Sequence, residues 1–229
     1  IIFQKKSGEL CKKLIDFKRP IAIIPSLAIH LDRGANKNRS INAQTDIPPI
    51  LMRTKNGQNF RQILTRSFLS TGESILDYEL SFYDTHRAMN IGISEEFLVS
   101  ARLDNLLSCY VAAKAISAAD VEHNCVLVCS DHEEIGSVSS SGSDGPFLEM
   151  VLERMIANDS TRNRAMKRSL FISCDSAHAM HPNFKSLHDE GHQPLINEGP
   201  VIKVNAKQRY ATNSITSSIF RKIYKSSYS

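Results

Sequence analysis

The sequence lacks tryptophan, long apolar runs and a strong excess of either charge. No stretch approaches the roughly 18 uninterrupted apolar residues that a membrane-spanning helix needs, and the first thirty residues do not follow the pattern of a signal peptide. The formal net charge is only +4 in 229 residues, and the basic residues are not grouped with aromatic ones. These absences argue against a membrane role and against nucleic-acid binding. A hydrophobic fraction of 41% is nevertheless enough for one large or two modest globular domains.

The five cysteines do not follow the pattern of a disulfide-rich secreted domain. Their number is odd, and four of them lie in apolar segments, at Cys109, Cys125, Cys129 and Cys174. We therefore expect reduced, buried thiols in a cytoplasmic protein. Cys125 and Cys129 are close in sequence, but without a second cysteine pair they give weak support for a zinc ribbon.

Alternating strand and helix patterns predict an α/β fold. From Asp104 to about Ala119, apolar residues recur at helical spacing, which predicts a helix with one broad buried face. The patterns further predict helices over about 59–69, 146–156 and 214–224, strands over 77–83, 126–129, 170–174 and 201–205, a buried or edge strand over 21–30, and a loop over 32–49.

Two adjacent glutamates directly follow one of these predicted strands, in the sequence Asp-His-Glu-Glu-Ile-Gly at 131–136. Neighbouring carboxylates can divide the work of hydrolysis, because one binds a metal ion while the other takes a proton from water. A solvated acidic loop is the simpler interpretation of a Glu-Glu pair considered by itself.

Further acidic and imidazole side chains occupy comparable positions. Asp104 stands at the start of the predicted helix, and Asp175 follows the strand 170–174, with His178 and His181 close behind. Ligands bind at the carboxyl ends of strands in open α/β sheets, so these groups are expected at one edge. Carboxylate and imidazole together suit zinc, or manganese and cobalt in a more oxygen-rich shell.

The chain resembles the aspartyl aminopeptidase family of dinuclear zinc aminopeptidases through six motifs in order along nearly its whole length. They are Ile-Pro-Ser-Leu-Ala-Ile-His-Leu (24–31), Arg-Leu-Asp-Asn-Leu (102–106), Asp-His-Glu-Glu-Ile-Gly-Ser (131–137), Asp-Ser-Ala-His-Ala-Met-His-Pro-Asn (175–183), Gly-Pro-Val-Ile-Lys-Val-Asn (199–205) and Gln-Arg-Tyr-Ala-Thr-Asn (208–213). The resemblance implies an aminopeptidase that removes N-terminal Asp or Glu from peptides.

The resemblance also implies a role for each site residue. Asp104 would bridge two zinc ions, Glu134 would bind one ion and Asp175 the other, and Glu133 would be the general base. His178 and Lys203 would contact the substrate, with Lys203 pairing with an acidic side chain. Without the resemblance, Lys203 is equally well interpreted as an exposed strand lysine.

The architecture implied by the family is a three-layer α/β sandwich with an inserted β-rich dimerisation subdomain. Residues 1–92 would be part of that subdomain, whose His30 would reach a neighbouring subunit's site, and residues 93–229 would be part of the catalytic domain. Self-association to dimers and to a particle of twelve subunits is expected, in the cytoplasm or a vacuole.

The family's site also needs two histidine ligands, one before the position of residue 1 and one after that of residue 229. The sequence therefore reads as an internal fragment, and we expect it to bind metal weakly by itself. Two alternatives stay open: a vacuolar-type aminopeptidase that prefers neutral residues such as Leu, and a catalytically inactive subunit that serves in assembly.

Overall fold

A three-stranded antiparallel sheet organises the first of two units of the chain, Ile1–Ala101. The computed structural model describes residues 1–37, 39–54, 57–120 and 122–228. The sheet contains β1 (Ile2–Gln4), β2 (Leu10–Lys12) and β3 (Ser74–Asp77), in the order β2-β1-β3. Because β1 lies in the centre, Phe3 pairs with Cys11 on one side and with Ile75 on the other.

Helix α1 (Phe60–Phe68) supplies the centre of the hydrophobic core. Leu64 is fully buried and packs with Ile1 and Ile75 from the sheet, and a ring of partly buried apolar side chains surrounds this cluster. Asn59 caps the helix, since its side chain accepts a hydrogen bond of 2.8 Å from the backbone N–H of Arg61. The helix predicted over 59–69 is confirmed.

Arg61 connects α1 to β3 through side-chain hydrogen bonds. Its Nη1 donates to the carbonyl oxygens of Ile75 (3.0 Å) and Leu76 (2.5 Å), and its guanidinium lies 5.2 Å from the ring centre of Tyr78. The strand predicted over 77–83 is wrong in its bounds. The ladder with β1 ends at Asp77, and residues 78–83 belong to no strand.

The predicted strand over 21–30 is reduced to a single bridge. Ile23 and Ile50 exchange two backbone hydrogen bonds, of 3.1 and 2.8 Å, outside any longer ladder. Most apolar side chains of this segment are exposed, namely Ile23, Ile24, Leu27 and Ile29, so the buried alternative of the prediction is wrong. The predicted loop 32–49 is confirmed except at residue 38, which lies outside the described residues.

A short hairpin ends the first unit. Strands β4 (Met89–Ile91) and β5 (Phe97–Val99) pair antiparallel around a turn that begins at Gly92, whose φ is +104°. Glycine suits this left-handed conformation. The sequence pattern did not predict these two strands, and the predicted domain boundary between residues 92 and 93 lies in the turn.

Helices make up the regular structure of the second unit, Arg102–Ser229. They are α2 (Leu103–Ala118), α3 (Phe147–Met155), α4 (Asp159–Lys167) and α5 (Ser214–Tyr228). The predictions for 104–119, 146–156 and 214–224 are confirmed. The sequence pattern did not predict α4, a strongly polar helix that Asn158 caps through a 2.9 Å bond from the backbone N–H of Thr161. The chain thus combines helices and strands, as an α/β protein does.

The strands predicted in the second unit do not form. In the part of this unit that the structure describes, residues 126–129, 170–174 and 201–205 belong to no β-ladder. A strand needs a hydrogen-bonded neighbour, and no described segment pairs with any of the three. The sheet of the predicted α/β fold is therefore not built from these segments.

The buried face predicted for α2 is also wrong. Leu107, Tyr110 and Val111 each expose more than half of their surface, because no described part of the chain covers them. Cys125, Cys129 and Cys174 are exposed rather than buried, and all five cysteines are free thiols. Among the described residues, no helix is long and apolar enough to span a membrane.

Candidate active site

The paired glutamates lie in a single turn of 3-10 helix, Glu133–Ile135. Residues in the left-handed conformation flank this turn on both sides: His132 has a φ of +60° and Gly136 a φ of +103°. The backbone N–H of Gly136 closes the turn with a 3.0 Å bond to the carbonyl oxygen of Glu133. Both glutamate side chains are exposed, so water and metal ions can reach their carboxylates.

Backbone hydrogen bonds fold residues 131–145, which we call the glutamate loop, back on itself. The N–H of Asp131 donates to the carbonyl of Ser141, and the N–H of Asp144 donates to that of Ser137, each over 3.1 Å. Gly142 is buried, and a Cβ atom there would collide with the carbonyl oxygen of Ser137. Glycine at this position therefore allows the close approach of the two sides of the loop.

A second group of side chains meets where α2 begins. Asp104 and Asn105 have non-helical backbone angles, and the peptide bond between them is cis. The Asn105 side chain donates from Nδ2 to the carbonyl oxygen of Cys174 over 2.8 Å. The start of α2 is thereby joined to the segment that carries Asp175, and the side chains of Asp104 and Asp175 interact.

Lys203 completes this group. Its Nζ donates to Asp175 Oδ2 over 2.5 Å and to the carbonyl oxygen of Ser176 over 2.7 Å. The Lys203 hydrogen bond is the main cause that holds the pKa of Asp175 below its usual value, and partial burial opposes it. Asp175 is therefore a carboxylate at neutral pH with a fixed cation beside it.

The structure brings together some of the predicted site residues and not others. Asp104, Asp175 and Lys203 are in contact through Asp175. Glu133 and Glu134 lie on the glutamate loop, and within the described ranges no three His, Cys, Asp or Glu side chains form a group that would hold a metal ion. The joint placement of Glu134 with the two aspartates stays a prediction.

The number and type of ligand atoms determine whether these residues can form a zinc site. Two carboxylates are suitable oxygen ligands, but a protein zinc site commonly takes three or four protein ligands. In addition, Lys203 Nζ already engages one oxygen of Asp175. The grouped residues fit part of a zinc shell and do not fit a complete one.

The two predicted substrate-binding histidines lie in exposed segments. His178 follows Asp175 in the second unit, and His30 lies in a turn of the first unit. Near His178, the backbone N–H of His181 donates to His188 Nε2 over 3.1 Å, and that of Met180 donates to the carbonyl oxygen of Pro194 over 2.7 Å. These bonds shape the segment that follows His178.

Three contacts at the site were not assigned from the sequence. Asn105 joins two segments, the Tyr210 ring centre lies 5.8 Å from Lys203 Nζ, and His132 bonds with Ser139. Asn105 and Tyr210 both lie within motifs that carry the resemblance. Membership in these motifs was the sequence signal that could have identified the two residues. The His132 contact depends on the conformation of the glutamate loop, which no pattern of residue types reveals.

Comparison with known proteins identifies the group to which the chain is similar. A family model described as aminopeptidase I zinc metalloprotease (M18) matches residues 1–227. The protein called probable M18 family aminopeptidase 2 is 50% identical over 223 residues in Pseudomonas paraeruginosa and 52% identical over 223 residues in Pseudomonas putida. Each match covers 95% of this chain and 52% of the relative, so the chain spans about half the length of these relatives.

Solved structures show the same relationship. The chain matches a structure described as the cryo-EM structure of the Ape4 and Nbr1 complex with a TM-score of 0.80 and 34% identity, covering 98% of this chain and 48% of that one. The crystal structure of prApe1 matches with a TM-score of 0.77 and 22% identity, covering 98% of this chain and 53% of that one. The similarity to prApe1 is evidence about the fold alone.

Proposed function

The chain belongs to the aminopeptidase I zinc metalloprotease family (M18), and we propose that the complete protein is a metal-dependent aminopeptidase that removes N-terminal Asp or Glu residues from peptides. The proposal has two parts. Peptide hydrolysis follows from the family, whereas the preference for acidic residues depends on the electrostatics of this chain.

The position of Lys203 is the observation that carries the acidic preference. Two of the three N–H donors of its ammonium group are used by Asp175 and Ser176, and the side chain is only 25% exposed. The cation is therefore held in one place and largely shielded from water. A fixed cation with a remaining donor favours an anionic side chain over a neutral one.

Each site residue has a role in this proposal. Glu133 accepts the proton of the attacking water and passes it to the amine that leaves. Asp104, Glu134 and Asp175 are zinc ligands of the complete protein, which holds two ions per subunit with further ligands; manganese or cobalt are alternative metals. His178 contacts the substrate, and His30 does so in a neighbouring subunit.

The proposed architecture follows the same family. Residues 93–229 belong to a three-layer α/β catalytic domain, and residues 1–92 belong to an inserted β-rich subdomain through which subunits form dimers and a dodecamer. The antiparallel strands β1, β2 and β3 in the first unit support the β-rich assignment. We place the enzyme in the cytoplasm.

The test uses the full-length protein with aspartyl, glutamyl and leucyl anilides. We expect zinc-dependent release of aniline from the first two and much slower release from the third. Faster turnover of the leucyl substrate would indicate the neutral preference instead. Assembly without hydrolysis of any of them would indicate a catalytically inactive subunit and overturn the proposal.

A further inference from the structure

We propose that a hydrogen bond between His132 and Ser139 positions the Glu133 carboxylate for proton transfer, an inference that rests on the proposed function. His132 Nδ1 lies 2.6 Å from Ser139 Oγ. Glu133 is the next residue after His132, so the backbone angles of His132 determine the direction of the chain at Glu133. His132 and Ser139 are positioning residues, since neither one touches a reacting atom.

Asp131 and Ser139 flank the imidazole of His132. Its Nε2 lies 3.8 Å from Asp131 Oδ2. In the tautomer that carries its proton on Nε2, Nδ1 accepts the hydroxyl hydrogen of Ser139. The backbone N–H of His132 also donates to Asp131 Oδ1 over 2.8 Å, which fixes the main chain immediately before Glu133.

Ser139 is a firm anchor because the opposite side of the glutamate loop packs against it. The backbone N–H of Gly142 donates to the carbonyl oxygen of Ser139 over 3.1 Å. Gly145 approaches the same carbonyl so closely that a Cβ atom at residue 145 would collide with it. The Ser139 side chain is also half-buried, whereas that of His132 is exposed. The bond therefore ties an exposed residue to the packed part of the loop.

His132 needs this anchor because of its backbone. Its φ of +60° and ψ of +28° are left-handed, a conformation that is unfavourable for a residue with a Cβ atom. The imidazole bond offsets part of that cost. When the bond is lost, His132 is free to leave the left-handed region, and the turn at Glu133–Ile135 changes direction. A misplacement of about 1 Å lowers catalytic rates by about a hundredfold.

Four single variants of the full-length enzyme test the inference. We expect Ser139→Ala and His132→Ala each to lower kcat by about tenfold with KM changed by less than about twofold. His132→Asn should stay within about threefold of the wild-type kcat, because Asn tolerates left-handed angles and keeps an acceptor. Ser143→Ala is the matched control: Ser143 lies in the same loop, is exposed and has no hydrogen bond to another described residue.

The double variant His132→Ala/Ser139→Ala should be no slower than either single variant if the two residues act through one bond. Normal turnover of Ser139→Ala overturns the inference, as does failure of His132→Asn to rescue. A rise in KM or a loss of zinc that accounts for the whole effect also overturns it, since it would indicate general damage to the site.

Amide hydrogen exchange over residues 131–145 provides a readout that is independent of turnover. Faster exchange in Ser139→Ala than in Ser143→Ala supports the anchor, and equal exchange overturns it. A wild-type enzyme that hydrolyses none of the anilides refutes the proposed function. The exchange rates then still decide whether the His132–Ser139 bond orders the loop.

Discussion

The ammonium nitrogen of Lys203 lies 2.5 Å from a carboxylate oxygen of Asp175, a residue 28 positions earlier in the chain. The side chain of Asp175 also interacts with that of Asp104, from the start of α2. Three distant segments of the second unit thus meet at one carboxylate. The proposed substrate-binding cation and a proposed zinc ligand are in direct contact, so a change in either alters the electrostatics of the other.

Replacing Lys203 by Met should remove the preference for acidic substrates in the full-length enzyme. We expect kcat/KM for the aspartyl anilide to fall by about ten- to a hundredfold, because a hydrogen bond to a charged group contributes about 1.5–3 kcal/mol. Turnover of the leucyl anilide and the zinc content of the variant show whether the substitution has damaged the site in general. Lys207→Met, which changes an exposed lysine nearby, is the control. Equal losses on both substrates would contradict the role of Lys203 in specificity.

Replacing Glu133 by Gln should leave zinc content intact and lower turnover by about a hundredfold or more, because the amide cannot accept a proton. Steady-state kinetics and metal analysis of the full-length variant provide the measurement. Glu149→Gln, in the exposed first turn of α3, is the control. Unchanged activity would show that another group is the base.

The 229-residue chain should bind zinc weakly by isothermal titration calorimetry. Asp104 and Asp175 are in contact, but the described residues provide no group of three potential ligands. Two carboxylates do not complete a tetrahedral zinc shell. Two tight zinc sites on this chain would refute the expectation, and Asp175→Asn should weaken whatever binding is observed.

Replacing Tyr83 by Phe should raise the pKa of Asp16. The Asp16 carboxylate accepts bonds from the backbone N–H of Lys18 (2.9 Å) and the Tyr83 hydroxyl (2.7 Å), and these bonds hold its pKa below the usual value, the Lys18 bond more strongly. Carbon-13 NMR titration of the carboxyl group measures the change. Tyr110→Phe, in the second unit, should leave this pKa unchanged.

The hydrogen bond between Tyr83 and Asp16 also makes the stability of the fold depend on pH. A lowered pKa contributes stability above the unfolded-state pKa, and this contribution is lost as the pH falls through the lower folded-state pKa. Tyr83→Phe should therefore destabilise the chain at neutral pH and have no effect through Asp16 at strongly acidic pH. A destabilisation that is independent of pH would contradict this account.

Replacing Leu64 by Ala should destabilise the first unit by about 2–5 kcal/mol, the usual cost of truncating a large buried aliphatic side chain. Leu64 is fully buried between α1 and the sheet. Urea unfolding measures the effect. The control Leu14→Ala, at a side chain 89% exposed, should change stability by less than about 0.5 kcal/mol.

Local sequence patterns predicted the helices better than the strands. Helices α1, α2, α3 and α5 follow from apolar spacing together with the residues at their ends, because their hydrogen bonds are internal. The segments 126–129 and 170–174 have the composition of strands but no described partner. Pairing is a non-local property that composition does not specify.

The site shows the same division between local and distant information. The start of α2 at Asp104 could be predicted locally, and its proximity to Asp175 followed from the expectation that both lie at one edge. The ion pair of Lys203 with Asp175 was not predicted, because it depends on how 175 and 203 approach each other. His132 received no role from the sequence, since its contact with Ser139 arises from the folding of the glutamate loop.

Because the apolar side chains of α2 are exposed, the stability of the second unit can depend on the concentration of a partner that binds them. Leu107, Tyr110 and Val111 are more than half exposed here, so they contribute little hydrophobic free energy to folding. Consider a surface that covers these side chains and binds the folded form but not the unfolded one. The free energy of unfolding of this unit must then rise with the logarithm of the concentration of that surface.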